Sequence, residues 1–187
     1  MVSEHIAIQD TQRWLERAVI GLNLCPFAKA VHVKGQIRYA VSQATTAAEL
    51  LADLKNELNS LVNIAVAGEF IAYDTTLFIV EDGFSDFLAF NDLLGKADKL
   101  LAKMGLEGVI QIASFHPHYQ FADTEPDDIS NYTNRAPYPI LHLLREASID
   151  QAVAAFPEAE AIFEANIQTM QRLGLQGWKD LNVDKTA

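Results

Sequence analysis

Thr75-Thr-Leu-Phe-Ile-Val80 is a short run, continuously apolar and β-prone at its end, lying between Asp74 and Glu81-Asp-Gly83. A strand with one wet face alternates apolar and polar residues, whereas a strand covered on both faces does not. The run therefore predicts a strand buried on both sides, and the flanking segments supply its covers. Upstream, Thr46-Ala-Ala-Glu49 has capping-box spacing, and Leu50, Leu51, Leu54, Leu58, Leu61 and Val62 continue at helical intervals to about residue 63. Downstream, Phe87, Phe90, Leu94, Ala97, Leu101 and Met104 predict a second helix, closed by Gly105 and the apolar contact of Leu106.

Further outward, Ile37, Tyr39 and Val41 alternate with Arg38 and Ala40 as in a half-buried strand, and Val109 to Phe115 reads as a third strand. Strand, helix, strand, helix, strand with long crossovers is the order of parallel βαβ units. The expected class is α/β: a small, mainly parallel sheet of at least three strands with packed helices and a long functional loop after the third strand. An α+β sandwich is the alternative. Trp14, Leu15, Ala18, Val19 and Leu22 place a first helix at about residues 4 to 22. Pro139 to Ala147 reads as a short helix, and Ser148-Ile-Asp-Gln151 as a second capping box. Pro157 suits the first turn of a last helix carrying Ala161, Ile162, Ala165, Ile167 and Met170, which Gly174 and Gly177 should end. No repeat, low-complexity tract or linker divides the chain, so its 187 residues, 50% hydrophobic, are expected to form a single domain over 1–187.

Composition excludes several partners. With 25 acids against 14 bases the net charge is −11, a balance that repels phosphate backbones and anionic membrane surfaces, and no Lys/Arg-rich run reverses it locally. Neither nucleic acid nor membrane is an expected partner. The N-terminus has no signal-peptide pattern, no apolar run approaches the ~20 residues of a membrane span, and one cysteine allows no internal disulfide. A cytoplasmic setting is the expectation.

Residues 113–139 hold two of the five histidines, several acids, two asparagines and an arginine in a stretch unsuited to regular structure. Long loops inside compact domains are generally functional or disordered, and Phe115, Tyr119, Phe121, Ile129, Tyr132 and Tyr138 give this one material to pack. Ligands in open α/β sheets bind beyond the carboxyl ends of strands, where His116 falls, with Pro117 stiffening the backbone between it and His118. His116 is thus the expected general acid/base, histidine having an unperturbed pKa near neutrality. Cys25, in the turn Asn23 to Ala28, is a second catalytic candidate that should share the His116 pocket, although a buried structural thiol accounts for it as well. Arg135 and Arg38 are candidate anion contacts, with Asn131, Asn134, His118 and Asp128 as further substrate-binding candidates. Self-bonded turns account equally for Asn131, Asn134 and Asp128. Cys25, His32, the loop histidines and Asp123, Glu125, Asp127 and Asp128 have no structural-zinc or calcium-loop spacing, so no tightly bound structural metal is expected and the cofactor is left unspecified. No phosphate loop, dinucleotide fingerprint, Gly-x-Ser-x-Gly elbow or His-Glu-x-x-His motif is present.

Three long motifs then become recognisable: Arg13-Trp-Leu-Glu-Arg-Ala-Val-Ile-Gly-Leu-Asn-Leu-Cys-Pro-Phe-Ala28, Ser114-Phe-His-Pro-His-Tyr-Gln-Phe-Ala-Asp-Thr-Glu-Pro-Asp-Asp128, and Asn131-Tyr-Thr-Asn-Arg-Ala-Pro-Tyr-Pro-Ile-Leu-His-Leu-Leu-Arg-Glu146. From about Thr11 to Trp178 the chain resembles the bacterial domain-of-unknown-function family 1415. The resemblance implies no particular activity. The residues themselves point to a small-molecule enzyme acting on an anionic metabolite, with a non-catalytic metabolite-binding or regulatory module and a protein-interaction domain as rivals.

Overall fold

A computed structural model describes residues 5–66, 73–156 and 161–186 of the chain. In chain order its elements are α1 (Ile6–Trp14), a wider π-helical stretch (Leu15–Ile20), α2 (Ala28–Val33), β1 (Ile37–Ser42), α3 (Ala47–Val66), β2 (Thr75–Val80), α4 (Phe87–Lys103), β3 (Ile110–Phe115), a 3₁₀ stretch (Ile129–Asn134), β4 (Ile140–Arg145), α5 (Glu146–Ala154) and α6 (Ile162–Asp180). Every position of β2 is buried, as its uninterrupted apolar run demands. Phe78 and Val80 feed a core built with Leu50, Leu54 and Leu58 of α3 and Phe90 and Leu93 of α4. Leu77 and Ile79 point the other way, to Trp14 of α1 and Met170 and Trp178 of α6. The sheet is therefore covered on both faces.

The helix ends follow from local chemistry. At α3 the Thr46 amide donates to Glu49 Oε2 at 3.1 Å while the Glu49 amide donates to Thr46 Oγ1 at 3.3 Å, closing the capping box in both directions. Asp86 caps α4 by accepting from the Ala89 amide at 2.8 Å. At its other end Gly105 takes φ 69°, and the Gly105 and Leu106 amides donate to the carbonyls of Ala102 and Leu101.

The sheet is mixed rather than mainly parallel, with order β1-β2-β4-β3. β1 and β2 pair in parallel through the α3 crossover, but β4 is antiparallel to both β2 and β3. The first three strands do run in one direction, and a fourth is inserted between the second and third. That fourth strand is the segment expected as a short helix from Pro139 to Ala147. Its apolar run satisfies a central strand because Ile140 faces one core while Leu141 and Leu143 face the other. Ser148 does not cap a helix either: α5 starts at Glu146, directly after β4, and Ser148 Oγ donates to Asp74 Oδ1 at 2.8 Å. The last helix does not stop at Gly174, which kinks it with φ 65° and ψ 174°, and helical structure resumes through Gly177 to Asp180. Pro157 lies outside the described residues.

His142, on β4, faces the core shared with α1 and α6, where its Nε2 lies 2.8 Å from Thr75 Oγ1. The Thr75 hydroxyl donates to the Leu143 carbonyl, so the imidazole must donate to Thr75 from a protonated Nε2. Burial pushes its pKa down to about 4. A histidine held neutral by the fold contributes its stability fully above the unfolded pKa and loses it as pH falls below that toward the folded value. Urea titrations across pH should therefore show stability falling by up to about 3 kcal/mol between about pH 6.5 and 4. Most of that slope should disappear in His142→Gln.

Candidate functional site

Pairing of Phe115 with Ile140 in the β3–β4 register makes residues 116–139 leave and re-enter the sheet at one place, beyond the carboxyl ends of β2 and β3. What holds so long a connection in shape is a set of inward-turned polar side chains. Asn131 is fully buried. Its Oδ1 accepts from the Phe121 amide and from Thr124 Oγ1, each at 2.9 Å, and its Nδ2 donates to the Glu125 carbonyl at 2.8 Å. Asp128 caps the 3₁₀ stretch by accepting from the Ser130 amide at 2.8 Å, a bond that draws its carboxyl below its ordinary pKa. Asn134 Nδ2 donates to the Ser114 carbonyl at 3.4 Å, and its own carbonyl accepts from the His116 amide.

His116 joins this loop to the one after β2. Its side chain is fully buried, with its ring 5.4 Å from that of Phe87 and 5.3 Å from that of Phe90, centre to centre. Nδ1 accepts from the His118 amide at 2.9 Å, which leaves the proton on Nε2 to be donated to the Phe84 carbonyl at the same distance. Burial lowers its pKa, against the Phe84 bond, which favours the charged form. Phe84 itself sits at φ 60°, an uncommon conformation for a bulky residue. Beside it Gly83 packs so closely that a Cβ there would lie 2.5 Å from the Ala44 carbonyl oxygen. A clamp of this kind fixes two loops and offers neither ring nitrogen to a ligand.

Arg135 turns the other way. Its Nη2 donates to the Pro126 carbonyl at 2.5 Å and its Nε to the Tyr119 carbonyl at 3.4 Å, while its guanidinium lies over the Tyr132 ring, 4.0 Å from the centroid. Trp14 Nε1 donates to the Arg135 carbonyl at 2.8 Å and fixes its backbone. Among the described residues no carboxylate pairs with it, in contrast to Arg38, whose two nitrogens reach Glu57 at 2.7 and 3.0 Å. Two open clefts meet at Arg135. One, of about 390 Å³, is bounded by Trp14, Trp178, Lys179, Val183 and Lys185; the other, of about 550 Å³, by Ser85, Asp86, Phe87, Gln120 and Asp127. His118, Tyr132 and Arg135 line both.

The candidates thus separate. His118 and Arg135 come together on a ridge between two concavities. Asn131, Asn134 and Asp128 are spent on the loop's own backbone, His116 is the clamp behind His118, and Arg38 belongs to an ion pair joining β1 to α3. Cys25 lines neither cleft. Its turn contributes Asn23 and Pro26 to a separate, smaller depression with Phe156 and Asn166, and burial raises its thiol pKa against amide bonds from Phe27 and Ala28. The turn and the loop nevertheless rest on the same part of α6, Asn166 Nδ2 donating to the Leu24 carbonyl at 2.8 Å and Phe163 meeting Phe121 at 6.0 Å. Among the described residues no group of three His, Cys, Asp or Glu side chains is arranged to hold a metal. No helix among them is long and apolar enough to cross a membrane.

Sequence reading missed the wall contributed by the C-terminal segment. After α6 the chain is strapped onto α1 by Asp10, which is 1% exposed. Asp10 accepts from Tyr138 Oη, the Thr186 amide and Thr186 Oγ1, and pairs with Arg13 at 2.7 Å. Burial pushes its carboxyl upward, but the bonds from Thr186, Arg13 and Tyr138 outweigh it and the pKa ends below its ordinary value. Arg13 also donates to the carbonyls of Asn182 and Asp184. An acid one helical turn before Trp14, within the apolar stripe, is the signal that points to this anchor.

Asn131→Ala should cost about 2–3 kcal/mol, because it orphans buried donors and acceptors rather than removing a surface contact. Chemical denaturation measures the loss, and hydrogen exchange should show the Phe121 amide losing protection before β3 does.

No curated protein and no solved structure matches the chain. A family model described as a protein of unknown function (DUF1415) matches residues 6–180, a span that holds the loop, the ridge and the Asp10 and Arg13 side of the α1 anchor but stops short of Asn182, Asp184 and Thr186. The chain belongs to this family of proteins of unknown function.

Proposed function

We propose that the ridge formed by His118, Tyr132 and Arg135 binds an anionic small molecule, with Arg135 as the anion contact and His118 as the group that exchanges a proton with it. The observation that carries this reading is the state of Arg135: a cation oriented by two carbonyls and an aromatic face, unpaired by any described carboxylate, at the edge of two concavities. A guanidinium held by carbonyls keeps its full charge and other N–H groups free for a carboxylate or phosphate. Fixing it before the ligand arrives reduces the entropy lost on binding. His118 is exposed and lines both clefts, and its backbone is fixed by His116 Nδ1, so its imidazole is available where that of His116 is not. An enzyme acting on an anionic metabolite fits this arrangement, and a metabolite-binding module would use the same anion contact without the proton.

A metabolite screen by thermal shift followed by turnover assays on each hit tests the reading. Arg135→Ala should weaken binding at least about tenfold while costing about 1 kcal/mol of stability, since two bonds to loop carbonyls are lost. His118→Asn should leave binding within about threefold of the parent and abolish turnover, because asparagine hydrogen-bonds but does not titrate. Retained anion affinity in Arg135→Ala would remove the foundation of the proposal.

A further inference from the structure

The two clefts that meet at Arg135 differ in what they offer the rest of an anion held there. The cleft at the start of α4 adds Asp86 and Asp127 to the shared guanidinium and no other cation. The cleft walled by the end of α6 and the C-terminal segment adds Lys179 and Lys185 against a single acid, Asp184, so charge directs an anion into it. Its apolar lining is Trp14, Ala136, Pro137, Trp178 and Val183, all buried, with Leu175 of α6, 49% exposed. Among these side chains only the two indoles carry a polar atom, and Trp14 Nε1 is already engaged by the Arg135 carbonyl at 2.8 Å. The Trp178 ring meets that of Tyr132 edge-on, 5.3 Å between centroids, and the Arg135 guanidinium covers the same Tyr132 ring at 4.0 Å. The cationic contact is thus continuous with an aromatic and aliphatic surface. A polar group placed on that surface would leave water without gaining a partner, whereas an apolar group is stabilised by leaving water.

From this continuity we infer that the ligand is an amphiphilic anion. Its carboxylate or phosphate lies on Arg135, and an aliphatic or aromatic body lies along Trp14, Trp178, Val183 and Leu175. The inference rests on the anion site proposed above and names the class of molecule that fills it. A compact anion rich in hydroxyls matches the guanidinium alone, and a neutral apolar molecule matches the lining alone. The amphiphile matches both, and joining its two ends makes the second contact intramolecular. A cleft of about 390 Å³ suits a body of small-metabolite size.

Calorimetric titration of the full chain with straight-chain carboxylates from acetate to octanoate tests this, beside phenylacetate, ω-hydroxy acids of the same lengths, and the matched alcohols. Affinity should rise about twofold to fourfold for each added methylene until the cleft is filled, the upper figure corresponding to full burial. The ω-hydroxy acid and the alcohol should each bind at least about threefold more weakly than the carboxylate of their length. Both tryptophans of the chain line this cleft and neither lines the other, so an ω-bromoalkanoate should quench the intrinsic fluorescence by heavy-atom contact. In Leu175→Ser, whose folding circular dichroism melting verifies, the gain per methylene should shrink. Acetate binding as tightly as octanoate, ω-hydroxy acids matching their parents, or a bound bromo probe that leaves the fluorescence unchanged would each overturn the inference and leave the anion site standing. Binding by no anionic probe, alcohols matching the carboxylates, or equal carboxylate binding by Arg135→Ala would overturn the anion site and the inference with it.

Discussion

The register that sets Phe115 opposite Ile140 governs the molecule. β2 and β3 run in the same direction, but a gap one strand wide separates them, and the chain fills it from the far side of a long loop. Because the loop's ends are hydrogen-bonded neighbours, the connection leaves the sheet at the end where the segments after β1 and β2 also emerge. In a purely parallel sheet a helix would have occupied the return connection and lain against a face. The antiparallel insertion lets the connection stay at the end, and the clefts are built there.

Such a loop has no sheet of its own, so its shape depends on side chains that replace a hydrogen-bond ladder. Asn131 satisfies backbone groups at Phe121 and Glu125, and His116 ties the Phe84 carbonyl to the His118 amide. Each bond is buried or partly buried, where an unmade one is costly. The two bonds at His116 require a neutral ring, because a proton on Nδ1 would evict the His118 amide. Its lowered pKa, caused by burial, keeps that form at neutral pH. The histidine most suggestive in the sequence thus determines where its neighbour stands.

The fold is legible in the sequence wherever one physical signal dominates. The α3 capping box is a reciprocal pair at fixed spacing, and a short apolar run without polar alternation, as in β2, is what a strand covered on both faces requires. Ile140-Leu-His-Leu-Leu144 misleads because a short apolar run carries no period that separates a buried strand from a buried helix turn. Reading β4 as a helix conceals the mixed sheet, since the first three strands do share one direction. The loop stands out as a concentration of polar residues at a strand end. Its members cannot be sorted by identity, because Asn131 and Arg135 look equally suited to a ligand until their partners are known. The cleft wall from Trp178 to Lys185 escapes for another reason: it depends on Asp10 and Arg13 strapping the C-terminal segment to α1 from the other end of the chain.

The anion site proposed at Arg135 lies in a chain of net charge −11, so two opposing fields act on its ligand. At long range the protein repels an anionic ligand, while within the cleft Arg135, Lys179 and Lys185 attract it. Salt screens the two effects differently: at 0.15 M the Debye length is about 8 Å, so the long-range repulsion fades first and contact pairs later. Association of a dianionic probe should therefore accelerate as salt rises from low ionic strength, while dissociation also accelerates, leaving affinity to pass through a maximum. For a probe of zero net charge the first effect is weak, and raising salt should mainly hasten dissociation. Stopped-flow binding across ionic strength separates the cases, and a dianion whose association slows monotonically with salt would show that the local cations, rather than the net charge, control approach to the site.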